Sequence, residues 1–479
     1  MITRREAAKL AVMSVAAAKF APLTWGQSAT AGSGTGRPPV EKRKFTSDAV
    51  EATIARVKKK LGDTKLARMF ENCYPNTLDT TVRTGVVDGK PDTFVITGDI
   101  PAMWLRDSTA QVWPYLPLVG QDEKLRMLLR GVIHRQARYV LIDAYANAFN
   151  YGPTGSEFDT DLTQMKPELH ERKWEIDSLC YPVRLAHGYW KATDDASVLD
   201  GRWRAAARLI VETFRVQQRK HGPGPYSFRR ETTSPNDTLN LDGYGNPVKP
   251  VGLIASGFRP SDDACIYPFL IPSNLFAVRS LRQLEEISRV VWNDGAFAGE
   301  CSRMADEVEA AVMKYGIASH PQFGKIYAYE VDGFGNQLFI DDANVPSLMS
   351  LPYLDCVAKS DAVYQNTRRF VLSGANPYYF KGSAAEGVGG PHVGLRMIWP
   401  LGIIMRGLTS SDGAETARCL QMLVDTDAGT GFMHESFDQD DAKKFTRAWF
   451  AWANTLFGEL VLKSIHHGDA EYTEKSRGD

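Results

Sequence analysis

Residues 98–108 read Gly-Asp-Ile-Pro-Ala-Met-Trp-Leu-Arg-Asp-Ser, so Asp99, Trp104, Arg106 and Asp107 crowd into one short stretch. The adjacent Arg106 and Asp107 offer donors and acceptors in the pattern that neighbouring hydroxyls require, and Asp99 adds an acceptor. Trp104 offers a flat apolar face on which a sugar ring can lie. A second stretch, Trp174-Glu175-Ile176-Asp177-Ser178, opens a helical segment where either carboxylate can cap free N–H groups or meet a ligand. In a third, Ser256-Gly257-Phe258-Arg259-Pro260-Ser261-Asp262-Asp263, an arginine precedes two adjacent carboxylates. Neighbours in extended chain point to opposite sides, so one aspartate can face a cleft while the other is tied to the scaffold. The fourth lies near the C-terminal end, where a glycine cluster leads to His392 and Gly431-Phe432-Met433-His434-Glu435 follows. Glu435, with His434 beside it, is suited to act as a base toward water if a partner acid lies across the cleft.

Other chemistries lack their templates. Asn236, Asp237, Asn240 and Asp242 imitate part of a calcium loop without its alternating acidic spacing or closing glutamate. No GxxxxGK[ST], HExxH or GxSxG occurs, which removes phosphoryl transfer, zinc hydrolysis and serine hydrolysis from consideration. The residues predict neither a bound metal nor a cofactor. The six cysteines stand far apart with no CxxC pair, which predicts free thiols packed as small hydrophobes.

The elements that must position these loops are mostly helical. Val50, Ile54, Val57 and Leu61 recur at helical spacing between Ser47 and the stop at Gly62, and a short helix burying Met69, Phe70 and Cys73 follows. A long apolar stripe starts after Asp122, and further helices are expected over 179–190, 203–214, 275–291, 305–313, 394–408, 414–424 and 449–465. Strands are expected only at 93–96 and at 326–331, the latter facing 337–340 across Asp332-Gly333-Phe334-Gly335-Asn336. Helices joined by long loops, with no sequence repeat, suit an all-α toroid of helical hairpins whose loops carry function.

The chain has 479 residues with 43% hydrophobic, 24% charged and 10% aromatic content, which describes a globular protein with a large core. Its net charge of -1 supplies no positive field for a nucleic acid. After the first thirty residues no apolar run is long enough to span a membrane. Residues 1–31 follow the plan of an export signal, with paired Arg4 and Arg5, an apolar stretch and Ala29-Thr30-Ala31 as cleavage site. The arginine pair points to the twin-arginine route and a periplasmic destination. Residues 32–46 then read as a linker to one domain over 47–479.

The motifs at 98–108, 256–264 and 431–437 resemble those of glycoside hydrolase family 125, the exo-α-1,6-mannosidases, and they occur in the same order along the chain. The resemblance implies an (α/α)6 barrel and metal-independent, inverting removal of a terminal α-1,6-linked mannose from an oligosaccharide such as a mannan or N-glycan fragment. It implies an aspartate as general acid, matched here by Asp262 or its neighbour Asp263 with Asp262 preferred, and Glu435 as general base. Inversion requires one protonated and one ionised carboxyl, with room for a water on the far face of the sugar. Asp99, Trp104, Arg106, Asp107, Asp177, Arg259, His392 and His434 are the residues expected to bind the sugar. Two other readings stay open from sequence: another (α/α)6 glycosidase of glucoamylase or trehalase type, and a carbohydrate-binding protein without catalysis.

Overall fold

The computed structural model describes residues 35–475, with side chains described as far as residue 465. Apart from the single short turn Asn76–Thr80, its helices fall into two classes that differ in how they begin. The first class starts on polar caps: Ser47, Thr64, Asp122, Asp200, Asp294, Asp361 and Asp412 each accept a hydrogen bond from an N–H in the first turn of the helix that follows. Such a side chain satisfies a donor that the helix itself leaves free. These helices are Asp48–Leu61, Lys65–Cys73, Glu123–Ile142, Gly201–Gln217, Gly295–Tyr315, Ala362–Val371 and Gly413–Asp425.

The second class comprises Leu105–Val112, Ile176–Thr193, Ile271–Val290, Pro400–Thr409 and Ala451–Lys475. Trp104, Glu175, Leu270 and Trp399 occupy the cap positions of the first four without a side-chain cap. Distant groups take over: Leu105 N–H donates to the Asn147 carbonyl, Ile176 N–H to Ser256 Oγ, Ile271 N–H to the Tyr329 carbonyl and Ala451 N–H to the Thr97 carbonyl. Pro400 has no N–H to satisfy. Short strand pairs set three of the starts, with Met103–Trp104 on Ala148–Phe149, Phe269–Leu270 on Glu330–Val331 and Met397–Ile398 on Phe437–Asp438.

The uncapped helices form an inner ring. Leu105–Val112 packs on Ile176–Thr193, which packs on Ile271–Val290, while Pro400–Thr409 packs on Ala451–Lys475, which returns to Leu105–Val112. The remaining place, between Ile271–Val290 and Pro400–Thr409, is filled by a run of turns over residues 348–355. Arg279 reaches Asp355 on one side of that run and Thr409 Oγ1 reaches Met349 Sδ on the other. The capped helices lie outside, and Gly295–Tyr315 and Gly413–Asp425 fold back on their inner partners as hairpins. One continuous apolar core fills the space between the layers, with Trp174, Trp203, Trp452, Tyr115 and Tyr181 wholly buried in it. Each such aromatic side chain contributes roughly 1.5–3 kcal/mol through burial.

Several expectations change. The helix expected over 394–408 begins at Pro400, because 397–398 is claimed by a strand. Ile326 belongs to the hairpin of Ile317–His320 with Gly324–Tyr327, and only Glu330–Val331 pairs with Gln337–Leu338. The strand expected at 93–96 is Lys90–Val95, hydrogen-bonded to Val82–Val87. Residues 35–46, expected as linker, lie on the domain: Arg37 is buried against Asp79 at 2.8 Å and Glu51 at 2.6 Å, and Thr35 donates to Asn72. The cysteines are unpaired, as their spacing predicts. The export segment expected at 1–31 lies outside the described residues. No helix among the described residues is long and apolar enough to cross a membrane.

Candidate active site

The loops that enter the inner elements converge on a cavity of about 330 Å³ at the N-terminal end of the ring. Trp104, Arg106 and Asp107 reach it from the first inner helix, Asp262 from the loop before the third, Asn344 from the segment before the turns, and His392 and Trp399 from the approach to the fifth. Glu435, Arg447 and Phe450 arrive with the sixth. Asp262 and Glu435 therefore belong to the third and sixth of six places, opposite one another in the ring.

On one wall the backbone makes a tight turn, with Asp262 N–H donating to the Arg259 carbonyl and Arg259 N–H to the Asp263 carbonyl. Asp262 sits at φ 66°, in the left-handed region that aspartate tolerates better than most residues. The turn, not an extended strand, sends the two aspartates apart. Asp262 lines the cavity, and its Oδ1 accepts from Arg106 Nη2 at 3.4 Å and Asn147 Nδ2 at 3.3 Å. Lys173 Nζ donates to the Asp262 carbonyl at 2.9 Å. Burial alone would raise the Asp262 carboxyl, yet the Arg106 and Lys173 cations outweigh it and hold its pKa well below the usual carboxylate range.

Asp263 turns away from the cavity and accepts from His392 Nδ1 at 3.2 Å. Burial opposes the charged imidazole, but the Asp263 hydrogen bond and the charges of Asp263, Glu435 and Asp262 carry His392 up to about 9. His392 thus faces the cavity as a cation at neutral pH, oriented by the neighbour of the candidate acid.

The opposite wall is built around Glu435. Its Oε2 accepts from Thr446 Oγ1 at 2.9 Å and its Oε1 from Arg447 Nη1 at 3.4 Å. Arg447 is itself held by Asp99, whose Oδ1 takes Nη2 at 2.5 Å and Nε at 2.9 Å. Asp99 therefore acts through Arg447, outside the cavity wall. Between the walls Asp107 lines the cavity with a carboxylate whose one close partner is Arg106 Nε at 3.5 Å. Burial, opposed by Arg106, raises Asp107 to about 6. Trp104 packs with Ala102, Ala148 and Ile100 in a small cluster separate from the main core, and its Nε1 donor is unpartnered.

Besides Asp99, four of the expected sugar-binding residues have other work. Arg259 is buried in an ion pair with Glu330 at 2.6 Å, and Glu330 also accepts from the Ile266 and Tyr267 N–H groups, so both brace the loop that carries Asp262. Asp177 is wholly buried behind Arg106, accepting from Nη1 at 3.1 Å. His434 stacks on Phe445 with centroids 3.7 Å apart and points away from the cavity, its pKa lowered by burial. Arg106 reaches the cavity, but its guanidinium is already engaged by Glu175, Asp177 and Asp262. Asp237 of the imitated calcium loop accepts from Lys173 and Arg230 instead. Among the described residues no group of three or more His, Cys, Asp or Glu is placed to hold a metal ion.

Sequence reasoning passed over Arg447, Thr446, Asn344 and Phe450. A signal exists for two of them: Arg447 and Phe450 precede an inner helix much as Trp104 and Arg106 mark the start of another. Asn344 carries no local mark, because its place depends on the turn run that replaces a helix.

The family model described as metal-independent α-mannosidase matches residues 63–462. The meiotically up-regulated gene 157 protein of Schizosaccharomyces pombe is 44% identical over 445 residues, covering 89% of this chain and 87% of that protein. A solved Streptococcus pneumoniae structure, described as a metal-independent α-mannosidase in a non-productive complex with α-1,6-mannobiose, is 43% identical with a TM-score of 0.85. It covers 88% of this chain and 99% of its own. A bacterial glucoamylase with acarbose, 12% identical with a TM-score of 0.56 over 86% of this chain and 56% of its own, shares the (α/α)6 fold. With a match running through nearly the whole ring and every loop that builds the cavity, the chain belongs to glycoside hydrolase family 125, the metal-independent α-mannosidases.

Proposed function

We propose that this α-mannosidase removes a non-reducing terminal α-1,6-linked mannose with inversion, using Asp262 as general acid and Glu435 as general base. The observation that carries the reading is the placement of these two carboxyls on one cavity from opposite places in the ring, each backed by different partners. Glu435, fixed by Thr446 and Arg447, faces the cavity ready to take a proton from a water. Asp262 has the position from which a proton reaches the glycosidic oxygen. Water attacks the anomeric carbon, the bonding pair of the glycosidic bond leaves with its oxygen, and that oxygen takes the acid's proton.

An exo mode is supported by the floor. Below the cavity the inner helices are closed by Tyr181, Arg184 and Tyr353, with Tyr181 donating to the Val345 carbonyl and Tyr353 to Glu459. A pocket backed on that side suits the end of a chain. Asp107 and cationic His392 line the cavity and are available to a sugar's hydroxyls. The α-1,6 linkage is supported by the mannobiose bound to the Streptococcus pneumoniae relative.

Time-resolved proton NMR on α-1,6-mannobiose tests the whole statement. β-Mannose is expected as the first product. α-Mannose appearing first would indicate a covalent glycosyl intermediate and remove Glu435 from its role as base.

A further inference from the structure

Arg106 is surrounded by four carboxylates: Glu175 at 2.6 Å, Asp177 at 3.1 Å, Asp262 at 3.4 Å and Asp107 at 3.5 Å. Lys173 is the other cation beside Asp262, and it also serves Glu171 and Asp237. Arg106 and Lys173, with Arg230 beyond them on Glu171 and Asp237, are too few to balance so many buried anions, so protons must be kept in the cluster.

Glu175 is the member best placed to keep one. It is wholly buried and absent from the cavity wall. Its Oε2 accepts from Arg106 Nη1 and from Ser178 Oγ at 2.7 Å, while its Oε1, shut off from solvent, receives no N–H or O–H donor. Glu175 and Asp262 lie within side-chain hydrogen-bond reach of each other. Two carboxyl groups can bond to each other only with a proton between them.

We propose that Glu175 and Asp262 share one proton and that Glu175 is the positioning residue that holds it in reserve for Asp262. This rests on Asp262 as general acid, and it answers a difficulty in that role. A carboxyl beside Arg106 and Lys173 gives up its proton too readily to carry one at neutral pH. Glu175, raised by burial and further by the charges of Asp262 and Asp177 against the pull of Arg106, keeps one there. In turnover the Glu175 proton passes to Asp262 as Asp262 protonates the departing oxygen. The two resulting carboxylates face Arg106 and Lys173. Glu435 meanwhile gains the proton lost by water, and exchange with solvent returns one to the pair. The other charged or titratable groups facing the pair are Asp107, Asp177, His170, the buried Cys265 and Tyr226 beside Glu175 and, across the cavity, His392.

Glu175→Gln keeps the shape and a hydrogen bond but has no proton to hand on. On α-1,6-mannobiose its kcat should fall about 30-fold or more with KM little changed, while kcat on a dinitrophenyl α-mannoside should fall by no more than about threefold. The basic limb of its kcat–pH profile should move to lower pH, because Asp262 alone loses its proton sooner. Glu175→Asp, with a transferable proton on a shorter arm, should recover part of the loss on mannobiose, and serves as the test if the glutamine variant does not fold. Equal losses on both substrates with an unmoved basic limb, or no recovery in Glu175→Asp, would overturn the inference. Asp262→Ala measured beside them separates the two ideas: if its loss does not depend on the leaving group, the acid assignment itself fails.

Discussion

Asp262 and Asp263 differ by one position yet do different work, because the left-handed backbone at Asp262 turns its side chain to the cavity and leaves Asp263 to hold His392. Their substitutions should therefore differ in kind. Asp262→Ala should lose far more turnover on α-1,6-mannobiose than on an activated aryl mannoside, since a good leaving group needs no proton. Glu435→Ala should lose comparably on both, because water must be activated for either. Asp263→Ala should lose on both as well, through misplacement of His392, with a smaller factor of about tenfold. Steady-state kinetics on the two substrates read all three, and a leaving-group-dependent loss in Asp263→Ala would transfer the acid role to it.

At the scale of elements, every loop that serves the cavity enters an inner place whose start is held by another part of the chain. Gly98 shows how tight that arrangement is. It lies at φ 137°, bridged to Phe450, and a Cβ there would press into the Trp449 carbonyl oxygen. The same crossing holds Asp99 N–H on the Trp449 carbonyl and Arg447 on Asp99. Gly98→Ala should cost about 2 kcal/mol or more of stability and lower kcat by displacing Arg447 from Glu435. Thermal unfolding and kinetics on one preparation check it, and a variant with unchanged melting temperature would show that the crossing yields easily. Most outer helices were legible in sequence because they start on their own Ser, Thr or Asp cap, but Ala362–Val371 was passed over despite Asp361 and Gly295–Tyr315 was placed ten residues late. The inner ones were harder: Leu105–Val112 was passed over and Pro400–Thr409 was placed six residues early, since their first N–H groups find partners far away in the chain or, at Pro400, do not exist.

For the molecule as a whole, the closed ring buries ionisable groups that then make stability depend on pH. Glu459 lies in the floor beneath the cavity, where burial, opposed by the Tyr353 hydrogen bond and by Arg184 and Lys463, raises it to about 7 from an ordinary 4.5. A carboxyl with a raised folded-state pKa holds a proton that the unfolded chain has lost, so stability falls as pH climbs between the two values. Glu459→Gln should match the parent's melting temperature near pH 4 and exceed it near pH 8, where the parent must bury a charge. Calorimetry at both values checks this, and a variant less stable at pH 8 would mean that the charge is stabilised by Arg184 and Lys463.

The amino-acid sequence by itself determined the helical class, the starts of several capped outer helices, the family and the loops that bring Asp262 and Glu435 to the cavity. These depend on local periodicity, on caps a few residues away and on short contiguous motifs, all of which are written in neighbouring letters. It did not show that Arg259, Asp177 and His434 lie outside the cavity wall, that Arg447 braces Glu435, or that Glu175 and Asp262 share Arg106. Those outcomes depend on which loops the closing ring brings together and on the direction each turn gives its side chains, so opposite charges meet across separations such as the 71 residues between Arg106 and Asp177 and the 348 between Asp99 and Arg447. Only the tertiary structure decides such pairings, because a buried charge takes as its partner whatever the fold delivers within reach.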